Sequence, residues 1–290
     1  MGEPFSGDDG PVLSARYLDR PGEPALYVRV VHPRTTRERL LFVHASTVHS
    51  EYYLPLALQL ARHGIETWLP DLRGHGHSAG QRGHTRAWHE PVGDVLAAWQ
   101  AMQADPAPSV LIGGESYGAL LAYEAVRLGA ARPSGAIFLS PAFGLHYHPS
   151  PTVYRLLTRW IWPVGGQFRP LRRLPVEGVT QNPALRSLIE RDRLCNRHYT
   201  LGFLLHLMEA QRAVPKPDRE WDIPTLILLS EKDPITDNAV TRAVFDGNPA
   251  VSLQLQGSAL HSLVADQPVW AAESMADWIS SPRLRRRIDH

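Results

Sequence analysis

The sequence predicts a protein of the α/β class, with a mostly parallel sheet flanked by helices. Short apolar runs alternate with helical patterns along most of the chain, which is typical of strand–helix–strand units. One apolar run ends in a glycine-rich turn at 113–118 and leads directly into a helical pattern. The alternation stops between about 143 and 219, where proline-rich turns join short helical pieces. A length of 290 residues fits one core domain with an insertion.

The alternation defines the predicted elements in chain order. The predicted strands are 25–31, 40–45, 65–69, 109–113, 136–140, 225–230 and 251–255. The predicted helices are 53–63, 90–104, 117–129, 199–214 and 270–279. We therefore expect a first part of the core at 1–142, a helical cap at 143–219 and a second part of the core at 220–290.

The turn around Ser116 has the pattern Gly-x-Ser-x-Gly between a predicted strand and a predicted helix. Such a turn is so tight that only small residues fit beside the serine, which is left exposed at the carboxyl end of the strand. The helix N-terminus beneath it favours developing negative charge. A chance glycine–serine turn is the alternative, but the strand before the turn and the helix after it favour a nucleophile.

A serine nucleophile needs a base and an acid, and two downstream residues follow strands. Asp233 follows the predicted strand 225–230, and His261 follows the predicted strand 251–255. Because the carboxyl ends of parallel strands lie at one edge of a sheet, Ser116, Asp233 and His261 can meet there. The chain has 14 histidines, so the position after the last strand selects His261. Asp237 is the alternative acid, although 236–238 has the pattern of a helix N-cap.

Further motifs extend from residue 25 to residue 280. They are His44 with His49-Ser50-x-x-Tyr53, Asp71-x-Arg73-Gly74-His75-Gly76-x-Ser78, Gly-Glu-Ser116-Tyr-Gly, Ser140-Pro141-Ala142 and Ile223-Pro224-Thr225, together with Asp233 and His261. With these motifs the chain resembles the monoacylglycerol lipase and lysophospholipase group of α/β-hydrolases, also called serine aminopeptidase-like. The resemblance implies the α/β-hydrolase fold with a helical cap.

The same resemblance implies a serine esterase or lipase that works through an acyl-enzyme, without a cofactor or a metal. The expected substrate is a small-molecule acyl ester such as a monoacylglycerol or a lysophospholipid. A thioesterase, an acyltransferase, a peptidase or a cofactor-free haloperoxidase would use the same three residues. A non-catalytic binding module of the same fold is the alternative from another class.

The loop after the predicted strand 40–45 is expected to complete the site. The resemblance implies that the amides of Ser46 and Tyr117 form an oxyanion hole, and that His44 belongs to the substrate-binding residues. The family usually has glycine where this chain has Ala45. Alanine disfavours positive φ, so the methyl group of Ala45 restricts the backbone of this loop, and its effect on the oxyanion hole stays open.

Two apolar stripes occur in the predicted cap. In 154–162, Leu156, Leu157, Trp160 and Ile161 share one side of a helix, where they form a substrate-binding wall, touch a membrane surface transiently or pack onto the core. In 199–214, Leu201, Leu204, Leu205 and Met208 have helical spacing, which favours packing onto the core. An apolar cap suits an acyl chain better than a charged peptide.

Composition limits the remaining possibilities. The formal net charge of +1 gives no reason to expect a nucleic-acid partner. Cys195 is the only cysteine, so no intrachain disulfide can form, which suits a reducing cytoplasm. Residues 1–10 lack the apolar region of a signal peptide, and no apolar stretch reaches about 18 residues. We expect a cytoplasmic enzyme, and the oligomeric state stays open.

Overall fold

The computed structural model describes residues 10–104, 109–146, 156, 167–168, 176–281 and 284. Its strands are β1 (Val12–Leu18), β2 (Leu26–His32), β3 (Glu38–Val43), β4 (Ile65–Pro70), β5 (Val110–Glu115), β6 (Gly135–Leu139), β7 (Thr225–Ser230) and β8 (Val251–Gln256). Over these residues they form one sheet in the order β1-β2-β4-β3-β5-β6-β7-β8. The strand β2 is antiparallel to both of its neighbours, and the pairs from β4 to β8 are parallel. This sheet confirms the predicted fold class.

Helices cover both faces of the sheet. They are α1 (Leu54–Arg62), α2 (His89–Met102), α3 (Tyr117–Arg127), α4 (Pro183–Arg191), α5 (Leu201–Ala213), α6 (Asn238–Val244), α7 (Leu263–Asp266) and α8 (Pro268–Ile279), with a 3-10 turn at Ser50–Tyr53. Each predicted strand and helix in the described residues is present, with ends that shift by at most about two positions. The strand β1 was not predicted, because nearly all of its side chains are exposed and the usual apolar pattern is missing.

The alternation of side chains along each strand divides the core into two layers. In β3, Leu41 packs with α2 and α3 on one face, whereas Phe42 packs with α1 and α8 on the other. The same alternation occurs in β5 at Leu111 and Ile112. Burial on both faces explains why these strands are continuous apolar runs in the sequence.

The predicted cap lies between β6 and β7, where the described residues include α4 and α5. Leu157, Trp160 and Ile161 lie outside the described residues, and Leu156 is 52% exposed. In α5, Leu205 is buried as predicted, whereas Leu201 and Met208 are only half-buried. The boundaries 143 and 219 stay a prediction. No helix of the described segments is long and apolar enough to cross a membrane.

Candidate active site

Ser116 occupies a strained turn between β5 and α3. Its backbone has φ 56° and ψ −114°, a conformation that residues other than glycine adopt only when their surroundings enforce it. The Ser116 amide donates to the carbonyl of Leu139 at 2.9 Å, and the Ser116 carbonyl accepts from the amide of Ala142 at 3.0 Å. The neighbouring strand β6 therefore holds the serine in place.

The two glycines of the motif are required by close packing. A Cβ atom on Gly114 would lie 2.6 Å from the carbonyl carbon of Gly118, and one on Gly118 would lie 2.1 Å from the carbonyl oxygen of Val43. Real Cβ atoms do not approach other atoms so closely. The start of α3 thus packs directly on the end of β3, as the tight turn predicted from the sequence requires.

His261 and Asp233 form a buried pair. The imidazole Nδ1 of His261 donates to Oδ2 of Asp233 at 2.8 Å. Burial opposes the charge on Asp233, but His261 and the donors of Thr236 hold the pKa of this carboxyl below its usual value. Burial also opposes the charge on His261, and the carboxylates of Asp233 and Glu115 raise its pKa above the ordinary value. The pair is therefore built to stabilise an imidazolium.

A cavity of about 580 Å³ brings the predicted residues together. Ser116, His261, Ser46 and Tyr117 all line it, and Asp233 reaches it through His261. Asp237 instead caps α6, where its carboxylate accepts from the amide of Ala239 at 2.8 Å. The prediction that Asp237 is an N-cap is confirmed.

The loop after β3 is held from two sides. The amide of Ala45 donates to the hydroxyl of Tyr53 at 3.0 Å, and the carbonyl of Ser46 accepts from the hydroxyl of Tyr199 at 2.6 Å. Among the described residues other than glycine, only Ser116 and Ser140 have positive φ. Ala45 is therefore outside the positive-φ region, and its methyl group fits the backbone of this loop without strain.

His44 lies behind this loop and is not part of the cavity wall. Its Nε2 accepts from the amide of Leu72 at 3.0 Å, and its Nδ1 donates to the carbonyl of Ala45 at 2.8 Å. Burial lowers the pKa of His44 to about 4, which fits a ring whose Nε2 faces a backbone donor. The prediction that His44 contacts substrate is corrected, since the backbone occupies both ring nitrogens.

The Asp-x-Arg-Gly-His-Gly motif supports the loop from behind. Asp71 accepts from the amides of Ser50 and His77, each at 2.8 Å. Gly76 has φ 48°, and a Cβ there would lie 2.1 Å from the Asp71 carboxylate. His75 places its Nε2 2.9 Å from the carbonyl of Ser46. This motif therefore shapes the site without entering it.

Sequence reasoning missed most of the cavity wall. The wall is mainly apolar, and α4 and α5 supply Leu185, Ile189, Phe203, Leu204 and Leu207. Phe203 also packs on Tyr117, with ring centroids 5.2 Å apart. One signal was available for α4, since Asn182 followed by Pro183 is an N-cap with proline at the first helical position.

Among the described residues, one group apart from the candidate catalytic residues has metal-ligating side chains. Atoms of His49, Asp192 and Cys195 lie within 4.8 Å of one another. Asp192 already accepts hydrogen bonds from His49 at 2.9 Å and from Tyr52 at 3.1 Å. Burial raises the pKa of the Cys195 thiol to about 12, which disfavours the thiolate that a metal requires. These contacts describe a bridge between the core and the cap.

Comparison with known proteins assigns the family. The family model for serine aminopeptidases, S33, matches residues 34–268, well over half of the chain. The chain belongs to this family. Monoglyceride lipase of Homo sapiens is 27% identical over 219 residues, which cover 73% of this chain and 71% of that protein.

Solved structures of two related proteins have the same fold. A soluble variant of monoglyceride lipase from Saccharomyces cerevisiae, in complex with a substrate analog, has a TM-score of 0.80 at 18% identity. It covers 96% of this chain and 98% of its own. The monoacylglycerol lipase of Paleococcus ferrophilus has a TM-score of 0.72 at 23% identity and covers 91% of this chain and 99% of its own.

Proposed function

We propose that this protein hydrolyses lipid esters through an acyl-enzyme on Ser116. The observation that carries the proposal is the cavity, because its mainly apolar wall contains both Ser116 and the ring of His261, which is paired with Asp233. A strained serine that shares a cavity with a buried histidine–carboxylate pair is the arrangement that supports activation of a hydroxyl as a nucleophile.

The first step is attack by Ser116 Oγ on the ester carbonyl. The proton moves to Nε2 of His261, because Asp233 holds the hydrogen of that ring on Nδ1. The imidazolium then gives this proton to the leaving alcohol. Water attacks the acyl-enzyme with His261 as the base, which regenerates Ser116 and releases the acid.

The amides of Ser46 and Tyr117 are the proposed donors to the oxyanion. The Tyr117 amide belongs to the first residue of α3, so the helix dipole adds to its effect. Ser46 lies in the loop that Tyr53 and Tyr199 hold in place. One donor of this kind contributes about 3–4 kcal/mol to transition-state stabilisation in measured cases.

The cavity wall supports a lipid-like acyl group. Each methylene that enters an apolar wall contributes about 0.8 kcal/mol to binding, which corresponds to about fourfold in affinity. The human and yeast relatives are named monoglyceride lipases, which supports an ester of monoacylglycerol or lysophospholipid type. Leu156 belongs to the apolar side of the predicted cap helix, and its exposure supports transient contact with a membrane surface. The absence of a cysteine pair supports a cytoplasmic location.

A substrate panel tests the proposal. Purified protein is assayed with p-nitrophenyl esters from acetate to palmitate, with monoacylglycerols and lysophospholipids, and with thioesters and aminoacyl p-nitroanilides as competing classes. We expect kcat/KM to rise with acyl length and to be highest for oxygen esters. Preferential cleavage of aminoacyl anilides would contradict the proposal and indicate a peptidase.

A further inference from the structure

We propose that Glu115 is a positioning residue, an ionised carboxylate that fixes both the oxyanion loop and the His261 loop against the nucleophile turn. This inference rests on the proposed function, since it concerns the same site. Glu115 is the last residue of β5 and directly precedes Ser116. Its side chain is buried, with 1% of its surface exposed.

Three donors from two separate segments of the chain meet at this carboxylate. The hydroxyl of Tyr53 lies 2.8 Å from Oε2, and the hydroxyl of Ser262 lies 2.9 Å from the same atom. The amide of Val264, in α7, lies 3.3 Å from Oε1. Glu115 thus joins the 3-10 turn after the oxyanion loop to the segment that follows His261.

The positions of the hydrogens indicate the charge of Glu115. The Tyr53 hydroxyl accepts the amide hydrogen of Ala45, so its own hydrogen is available for Glu115. The Ser262 hydroxyl accepts from the amide of Ala265 at 3.2 Å, and its hydrogen is likewise available. An amide can only donate. All three partners can therefore supply hydrogens to Glu115, which is the arrangement that a carboxylate requires, whereas burial acts in the opposite direction and raises the pKa of Glu115.

Two branches of this network lead to residues that are adjacent to proposed site residues. Through Tyr53 the carboxylate holds the amide of Ala45, whose neighbour Ser46 is a proposed oxyanion donor. Through Ser262 it holds the residue that follows His261. One side chain therefore links the oxyanion loop, through Tyr53, to the segment that contains His261 and Ser262. Errors of about 1 Å in such positions cost about a hundredfold in rate.

The charge of Glu115 also acts on His261. It raises the pKa of that imidazole together with Asp233, so both carboxylates favour the imidazolium of the reaction. The other titratable groups of the cavity wall are Glu177, Tyr52, Tyr53 and Tyr117. Burial raises the pKa of the three tyrosines, which leaves them neutral.

The test compares Glu115→Gln with Glu124→Gln. Glu124 is a matched control, because it is a buried carboxylate on α3 that pairs with Arg127 and does not line the cavity. Measurements are kcat and KM for a soluble ester across pH, the Tm, and NMR titration of the His261 ring. We expect Glu115→Gln to lower kcat about tenfold to a hundredfold with little change in KM.

The pH dependence of kcat distinguishes the effect of the Glu115 charge from the effect of the Glu115 hydrogen bonds. His261 must be neutral to accept the serine proton, so its pKa sets the acid limb of the profile. Loss of a nearby negative charge moves this limb and the NMR titration to lower pH, by on the order of one pH unit. Tyr53→Phe removes one branch and keeps the charge. The Tyr53→Phe variant should have a lower kcat, and the acid limb of its pH profile should stay at the wild-type pH.

Several results would overturn this inference. One is a Glu115→Gln variant whose kcat and acid limb are the same as those of Glu124→Gln. Another is a Glu115→Gln variant that has a lower Tm but an unchanged kcat. If Glu115→Gln does not fold, Tyr53→Phe with wild-type kcat overturns it instead. An inactive wild-type protein would refute the proposed function. The effect of Glu115 on the pKa of His261 could still be tested, because NMR titration of the ring does not require activity.

Discussion

Replacement of Asp233 by asparagine should nearly abolish catalysis, and the structure shows why. The carboxylate accepts four hydrogen bonds and donates none. Oδ1 accepts from the amides of Ile235 and Thr236 at 2.8 and 2.9 Å, and Oδ2 accepts from the hydroxyl of Thr236 at 2.6 Å and from Nδ1 of His261 at 2.8 Å. An asparagine side chain offers one oxygen and one NH₂ group.

The backbone amides of Ile235 and Thr236 fix the orientation of the asparagine side chain in the Asp233→Asn variant. The two amides at Oδ1 cannot rotate, so the asparagine oxygen remains there and its NH₂ group faces His261. The imidazole must then accept at Nδ1, which puts its hydrogen on Nε2. A ring protonated at Nε2 cannot take the proton of Ser116. In a serine protease the equivalent exchange lowers kcat about 10⁴-fold, which corresponds to about 5 kcal/mol in activation free energy.

Asp237→Asn is the matched control in the same loop. Asp237 caps α6 and has no contact with His261, and asparagine is also a good N-cap, so this variant should keep its kcat and lose at most about 1 kcal/mol of stability. The assay is steady-state hydrolysis of a soluble p-nitrophenyl ester, with Tm as the check on folding. Asp233→Asn with a kcat within tenfold of wild type, or an inactive Asp237→Asn variant, would refute this reasoning.

Two further predictions concern acid stability and the cavity wall. The pKa of His44 is about 4 in the folded protein and about 6.5 in the unfolded chain, so the unfolded state binds a proton first as pH falls. The free energy of unfolding should therefore decrease by about 3 kcal/mol from this residue between pH 6.5 and pH 4. His44→Gln should reduce the decrease measured by urea denaturation. Leu207→Ala opens the apolar wall, so kcat/KM for long-chain esters should fall about tenfold or more while acetate esters keep their rate.

Both of these predictions have controls on the same protein. The pKa of His261 is raised, so its contribution to stability changes in the opposite direction with pH and is common to wild type and His44→Gln. An unchanged pH slope in His44→Gln would contradict the first prediction. Leu188 lies on α4 but is 56% exposed and outside the cavity wall, so Leu188→Ala controls for the second. Equal losses on acetate and palmitate in Leu207→Ala would contradict it.

The sequence was sufficient to predict the core and the positions of Ser116, Asp233 and His261. Ser116 and Asp233 follow the buried parallel strands β5 and β7, and such strands are continuous apolar runs that are visible without a structure. His261 follows the partly exposed edge strand β8, and its place between that strand and the last helix distinguished it from the other histidines. The exposed edge strand β1 has no such run, because it is buried on neither face. It is a strand because its backbone pairs with that of β2, and its own residue pattern does not indicate this pairing.

Features that depend on packing between distant segments could not be predicted. The ring of His44 is held by the backbone amide of Leu72, and the amide of Ala45 is held by the hydroxyl of Tyr53. Glu115 is buried directly before the nucleophile turn, where its partners come from distant segments of the chain. Its link to Ser262 joins residues 147 positions apart, a separation that periodicity cannot reveal.

The central claim is that Ser116 is a nucleophile activated by His261. The most direct measurement is covalent labelling with a fluorophosphonate, followed by mass spectrometry of the modified peptide. The account predicts a single adduct on Ser116, no adduct in a folded Ser116→Ala variant, and labelling that is much slower in His261→Ala. A wild-type protein that is not labelled, or an adduct that persists in Ser116→Ala, would contradict the account.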